Sequence, residues 1–238
     1  MGKVSKIQWC DATWNPWRGC TKVSAGCKNC YAERLAKRFK REEFGVITRS
    51  KTTFYDPLRW EKPLIIFVGS LSDFAHEDVP LVWVDEAWEI MRTADQHTYL
   101  ILTKRPNELK QLLPDDWGEG YPNIWMGVSV ENDDENWRLV ALEEISAVVR
   151  FVSAEPLLGP LDVYSFSPTL DWVIVGGESG LGFRIMREEW ALDIRDQCAK
   201  AGIPFFFKQW SGIYPMEDPR GMMLDGREWT ERPDMARA

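Results

Sequence analysis

Ile124-Trp125-Met126-Gly127-Val128-Ser129-Val130 runs into Glu131-Asn132, then into a helical stretch over 134–147. After it come Val148-Val149-Arg150-Phe151-Val152-Ser153 and Ala154-Glu155-Pro156. Two short, nearly continuous apolar runs joined through a helix read as neighbouring strands of a parallel sheet covered on both faces. The unit recurs along the chain. Strands are expected at 64–69, 98–103, 172–175 and 205–207, and one more near 6–9 makes seven. Helices are expected at 84–94 (Ala87, Ile90, Met91 and Ala94 inward), at 107–113 before Pro114, and at 188–201 before Gly202. In the helix over 134–147 the apolar side is read as Trp137, Val140, Ala141 and Ile145.

The residues just past the strands choose between a barrel and an open sheet. They are Ser70-Leu71-Ser72-Asp73, Lys104-Arg105-Pro106, Glu131-Asn132, Ala154-Glu155-Pro156, Gly176-Gly177-Glu178-Ser179 and Lys208-Gln209-Trp210. Every strand delivers polar groups at its C-terminal end. A barrel gathers such ends around one mouth, whereas an open sheet concentrates them at one switch point. The expected class is α/β, a partial (β/α) TIM-type barrel over 1–211. Residues 212–238 form a cap or tail, with a hairpin at Leu224-Asp225-Gly226-Arg227, because Asp-Gly between flanking strands suits a two-residue turn.

The chain has 238 residues, 45% of them hydrophobic, which excludes a disordered chain. Its apolar runs are strand-sized, well short of the roughly 18–20 residues of a membrane helix. Residues 1–5 lead straight into polar sequence. The expectation is a cytosolic monomer with no membrane partner. The net charge of -8 is uneven: residues 1–51 hold 12 Lys/Arg against four acids, +8, leaving -16 for the rest. The basic segment carries Arg34, Lys37, Arg38 and Arg41 at helical spacing, interleaved with Trp14, Trp17, Tyr31, Phe39 and Phe44. It reads either as a solvated helix face or as a nucleic-acid contact, DNA before RNA.

Five cysteines, three of them within eleven residues, do not form a disulfide framework for a reducing compartment. Cys20, Cys27 and Cys30 make a C-x6-C-x2-C loop that runs into a helix expected over 32–41. Three thiolates on one loop suit three corners of a [4Fe-4S] cluster with the fourth iron open. Zinc needs a fourth ligand for a closed structural site, and Cys10 is available for that, so both metals stay open. Lys22, Lys28 and Arg34 nearby favour thiolates. Cys198, mid-helix, reads as a small buried hydrophobe.

A three-Cys loop after the first strand, closing in Cys-x-x-Cys-aromatic and followed by a partial barrel, resembles the radical S-adenosylmethionine (SAM) superfamily. Ser70/Ser72-Asp73, Leu102-Thr103-Lys104, Val128-Ser129-Val130 and Ser153-Ala154-Glu155-Pro156 resemble its spore-photoproduct-lyase branch. Nearly the whole chain, including Gly176-Gly177-Glu178-Ser179-Gly180 and Phe207-Lys208-Gln209-Trp210, is similar to a phage-associated three-Cys family. The first resemblance implies a [4Fe-4S] cluster on Cys20, Cys27 and Cys30. It also implies SAM held by Ser70, Ser72, Asp73, Lys104, Ser129 and Ala154, with Tyr31 beside the cluster and DNA-lesion repair as the chemistry. This loop is three residues longer than the superfamily's C-x3-C-x2-C. Gly69 stands where that branch has a hydrogen-donating Cys.

The remaining mouth residues have readings of their own. Glu155 is a carboxylate suited to a base or to binding an amine. Gly176-Gly177 either let the backbone turn or free amides for an anion, with Glu178 beside them in the cofactor pocket. Trp83, Trp88, Trp137 and Trp190 sit at core spacing. Trp9, Trp14, Trp17 and Trp210, with Lys208, lie nearer the mouth, where Trp17 and Trp210 would stack on bases. Two alternatives stand beside the enzyme: light-driven or redox electron transfer through tryptophans without SAM, and a zinc-stabilised module that only binds.

Overall fold

The computed structural model describes residues 5–39 and 43–234. Seven strands build its main sheet: β1 (Ala12–Trp14), β2 (Ile65–Val68), β3 (Thr98–Thr103), β4 (Ile124–Ser129), β5 (Arg150–Ala154), β6 (Trp172–Gly176) and β7 (Phe205–Gln209). All neighbours are parallel and follow chain order, so the strand order never reverses. The sheet curls into a half-barrel. Helices α1 (Tyr31–Arg38), α2 (Leu81–Thr93), α3 (Pro106–Gln111), α4 (Trp137–Glu143) and α5 (Glu188–Ala201) connect the strands.

The side-chain period of two divides the core. Ile66, Val68, Tyr99, Ile101, Met126, Val128, Val152, Ala154, Val173 and Val175 point out to the helices. Phe67, Leu100, Trp125, Phe151, Trp172, Ile174 and Phe206 point in and form an aromatic floor with Trp9. Gly127 makes room for this floor: a Cβ there would lie 2.4 Å from the Phe151 ring.

Several elements depart from expectation. Residues 6–9 turn rather than pair, with Cys10 N–H donating to Ile7 O at 3.3 Å. The first strand starts three residues past the end of that stretch, at Ala12, and Asp11 just before it fixes the register by accepting Ile65 N–H at 2.8 Å. A three-residue strand is too short to show its alternation in sequence. The stretch 134–147 splits into a 3-10 turn at Asp133–Glu135 and the shorter α4. Trp137 and Val140 are exposed and Arg138 is buried, 1% accessible. The apolar phase misled because α4 turns an arginine inward, onto Glu131 and Glu135, both at 2.9 Å. Helix α1 spans Tyr31–Arg38, and Arg41 lies outside the described residues.

Helix α5 ends where Gly202 takes φ 72°, left-handed backbone that glycine adopts without strain. The Asp225-Gly226 hairpin is present, with φ 52° and 75° at its two turn residues. Past it, Thr230 bridges Phe206 antiparallel and Phe207 N–H donates to Trp229 O at 2.8 Å. The tail therefore covers the edge of β7 rather than the mouth. Among the described residues no helix is long and apolar enough to cross a membrane.

Candidate iron–sulfur and cofactor site

A cavity of about 390 Å³ opens where the strands end at their C-termini. That volume is within the usual range for small-molecule sites. Leu102 lies on β3 and Lys104 just past it, Ser129 ends β4, Ser153 lies on β5 and Glu155 just past it, and Lys208 lies on β7; Thr103, Arg105 and Gln209, of the other phase, line it too. Ser70, Ser72 and Asp73, after β2, line it as well, as do Gly177 and Glu178 after β6. Ala154 does not: it is fully buried on the helix-facing side, out of phase with Ser153 and Glu155.

Cys20, Cys27 and Cys30 line the same cavity, and all are free thiols. Cys10 is outside the lining, with its Sγ donating to Ser5 Oγ at 3.4 Å. Burial raises its pKa to about 11. Cys198 is fully buried within α5, and burial raises it to about 12. Cys20 is also pushed up to about 12, by burial first and by the Asp73 carboxylate second, against the opposing pull of Arg105. A metal bound there would have to displace that proton.

The loop bearing the three thiols is anchored from both sides of the sheet. Ser24, which meets Cys27 Sγ at 3.8 Å, donates to Glu131 Oε1 at 2.7 Å. Glu131 is 1% accessible and also accepts from Lys104 at 2.6 Å and Arg138 at 2.9 Å. Gly26 packs directly over it, since a Cβ there would meet Glu131 Oε1 at 2.0 Å. On the far side, Asn29 donates to Glu178 at 3.0 Å and to Gly182 O at 2.7 Å, and Arg184 donates to Ala25 O at 2.9 Å. Arg184 and Glu178 are themselves paired through two bonds, at 2.9 and 2.5 Å.

This engagement changes several expected roles. Glu178 spends its carboxylate on Arg184 and Asn29, as a clasp on the Cys loop rather than a free cofactor contact. Gly177 N–H is taken by Gln209 O at 2.9 Å, so it offers no amide to an anion. Gly176 makes room instead, a Cβ there lying 2.9 Å from Glu155 Oε2. Glu155 accepts from Lys208 at 2.5 Å and Ser153 Oγ at 3.3 Å. Tyr31, 42% exposed at the rim, donates to Ser70 O.

The nucleic-acid residues separate. Arg34 turns inward, donating to Ser179 O at 2.5 Å and Leu181 O at 3.4 Å, against Gly180 at φ 92°. Lys37 and Arg38 remain exposed on α1, with Lys37 paired to Glu33 at 2.7 Å. Trp17 and Trp210 are buried, their indole N–H groups on Asp73 O at 3.2 Å and Met223 O at 3.0 Å. Neither offers a face to a base. Trp9, in contrast, belongs to the cavity wall.

Arg105, Glu131, Arg138, Asn29 and Arg184 had no assigned role in the sequence. Glu131 had one usable signal, its position two residues after Ser129 on the inward phase. The clasp of Asn29 and Arg184 lies too far apart in the chain to leave a pattern.

The donor set fits a thiolate-bound cluster: three free thiols on one anchored loop, with a buried guanidinium donating to one of them. Among the described residues no group of three or more His, Cys, Asp or Glu side chains is already drawn together as a metal site. Two buried polar atoms of the lining, Ser72 Oγ and Trp9 Nε1, have no hydrogen-bond partner within the protein. A bound group in the cavity would meet a need there.

The carboxylate anchors predict an acid limit. In Glu131 burial raises the pKa, but Lys104 and Arg138 together outweigh it and hold the group low. Glu178 is held low in the same way, burial opposed by Arg184 and Asn29. A depressed carboxylate stabilises the fold above its unfolded pKa of about 4.3 and loses that contribution as pH falls through the folded value. The Cys loop is expected to loosen below about pH 4. Hydrogen exchange of residues 20–30 as a function of pH checks this, and unchanged protection at pH 3 overturns it.

No curated protein and no solved structure matched the chain on comparison. The family model described as "Protein of unknown function (DUF5131)" matches residues 4–233, and the chain belongs to that family.

Proposed function

We propose that the protein is a [4Fe-4S] enzyme of radical SAM type, built on a TIM-type partial barrel and acting on nucleic acid or nucleotides, with DNA-lesion repair as its specific chemistry. One observation carries this reading. The three thiols of the C-x6-C-x2-C loop and the strand-end groups Ser70, Lys104 and Ser129 line one cavity at the mouth of a parallel sheet. Cys20, Cys27 and Cys30 would hold the cluster, leaving one iron for SAM. When bound, the cluster supplies the electron that cleaves SAM reductively. The chain's own residues orient and enclose. Lys104 and Ser129 offer a cation and a hydroxyl from adjacent strands, Tyr31 leans over the Ser70 carbonyl, and the aromatic floor excludes water from below. Glu155, linked to Lys208, is placed to hold or accept a proton from substrate.

Anaerobic reconstitution followed by SAM and dithionite tests the reading, with 5′-deoxyadenosine as the expected product. A colourless protein with stoichiometric zinc would point instead to the binding module. A loaded protein that makes no 5′-deoxyadenosine points to electron transfer without SAM. The observation favouring that second reading is a tryptophan series beneath the cavity: Trp9 lies 6.4 Å from Trp172, which lies 6.1 Å from Trp125.

Two further outcomes are expected. Lys104→Ala and Ser129→Ala should keep iron and weaken SAM binding. Losing one charge-assisted hydrogen bond costs about 1.5–3 kcal/mol, or roughly ten- to a hundredfold in affinity. Calorimetric titration with unchanged affinity in both variants retires the pocket. On α1, Lys37→Glu with Arg38→Glu should abolish DNA binding in low-salt fluorescence anisotropy and leave the cluster spectrum intact. Wild-type affinity should fall with salt at a slope of about 0.9 per neutralised phosphate in duplex. Equal binding by wild type and double variant makes α1 a solvated face.

A further inference from the structure

We infer that Arg105 tunes the Cys20 corner: its guanidinium donates to the Cys20 sulfur and thereby raises the reduction potential of the cluster held there. The inference rests on the cluster reading above and adds to it a residue acting through one particular ligand.

The geometry is unusually determined. Arg105 is 5% accessible, and each of its side-chain nitrogens is committed. Nε donates to Glu77 at 2.9 Å, and Nη2 donates to Thr21 Oγ1 at 2.7 Å and Thr21 O at 3.3 Å. Nη1 divides between Asp73 Oδ2 at 3.3 Å and Cys20 Sγ at 3.7 Å. Guanidinium is a planar fork that stays charged at any physiological pH, so this donor neither rotates away nor titrates.

Its supports are equally fixed. Asp73 accepts from Thr103 Oγ1 at 2.6 Å, Ala75 N at 3.0 Å and Lys104 N at 3.0 Å, which joins the ends of β2 and β3. Thr21, the residue after Cys20, is held on its other side by His76 Nε2 at 2.9 Å. Asp78 N–H donates to His76 Nδ1 at 3.2 Å, so Nε2 carries the ring proton and donates to Thr21. The Cys20 corner is thus placed by the barrel rather than by the loop. Cys27, by comparison, meets the Ser24 hydroxyl, a neutral group of the loop itself.

The sign follows from charge. One-electron reduction adds negative charge that the ligand sulfurs share. A cationic donor on one sulfur stabilises the reduced state more than the oxidised state, and hydrogen bonds to sulfur are among the factors that set cluster potentials. Removing the donor also leaves Asp73 less compensated nearby, which acts in the same direction.

The test compares reconstituted wild type, Arg105→Lys and Arg105→Gln. Iron and sulfide content are measured on each, with a redox titration followed by electron paramagnetic resonance. The expectation is that Arg105→Gln, which removes the charge, lowers the reduced-to-oxidised ratio at fixed applied potential about tenfold, a downward shift of about 59 mV for a one-electron couple. Arg105→Lys, which keeps a cation but not the fork, holds wild-type iron and shifts in the same direction by less. Wild-type potential in an iron-loaded variant overturns the inference and leaves the cluster reading standing. A folded variant that loses its iron also overturns it, making Arg105 a buttress of the loop. Absence of iron from wild type removes the cluster reading itself.

Discussion

Exchange of Cys20, Cys27 or Cys30 for alanine is expected to abolish cluster loading, and exchange of Cys10 or Cys198 to leave it intact. Iron and sulfide counts on the five reconstituted variants measure this directly. The basis is placement. The first three thiols line the cavity, whereas Cys10 is 5% accessible beneath it and Cys198 is sealed inside α5. Zinc with Cys10 as fourth ligand predicts the opposite for Cys10→Ala, because a closed tetrahedral site fails when any one of its ligands is removed. Iron lost with Cys10→Ala would therefore sink the open-corner arrangement.

The second large effect belongs to a residue that touches no thiol. Glu131→Ala should destabilise the protein by about 3–5 kcal/mol, because it takes from the buried Arg138 the buried one of its two carboxylates. Arg138 would keep only Glu135 and the Ser129 carbonyl, and its Nε has no partner at present. Ser24 would lose its acceptor at the same time, so the loop loosens along with the core. Gly26→Ala attacks the same point from above by driving a methyl group into a carboxylate pinned on three sides. Urea unfolding of both variants checks the magnitude. A loss below about 1 kcal/mol, ordinary for a surface change, would show that the network contributes little.

The parallel sheet was legible because its strands are buried on both faces and read as apolar runs. β3, seen as Thr98–Thr103, and α5, seen as Glu188–Ala201, have the bounds the pattern predicts. β1 was misplaced because three residues cannot display a period. Half of the face of α4 was misread because a buried Arg138 looks polar in sequence, whatever ion pair awaits it. Part of the lining of the cavity was legible, and the hydrogen bonds that support it were not. Cys20, Lys104, Ser129 and Glu155 lie on a loop and strand ends whose spacing is local. The Ala154 side chain faces the helices rather than the cavity. Glu178 and Gly177 looked like free ligand groups, since a sequence does not disclose that Arg184, Asn29 and Gln209 already occupy them.

The clasp on the Cys loop has a consequence in time. Asn29 meets Glu178 across 149 residues, and Ala25 meets Arg184 across 159. A ribosome adding about 5–20 residues per second needs roughly 8–30 s to cover that interval. Throughout it the three thiols are outside the exit tunnel or entering it while their far-side anchors are not yet made. The far-side contacts of the loop close only once residues 178–184 have been made, about three-quarters of the way along these 238 residues, so the three cysteines stay unclasped on that side through most of the synthesis of this stretch.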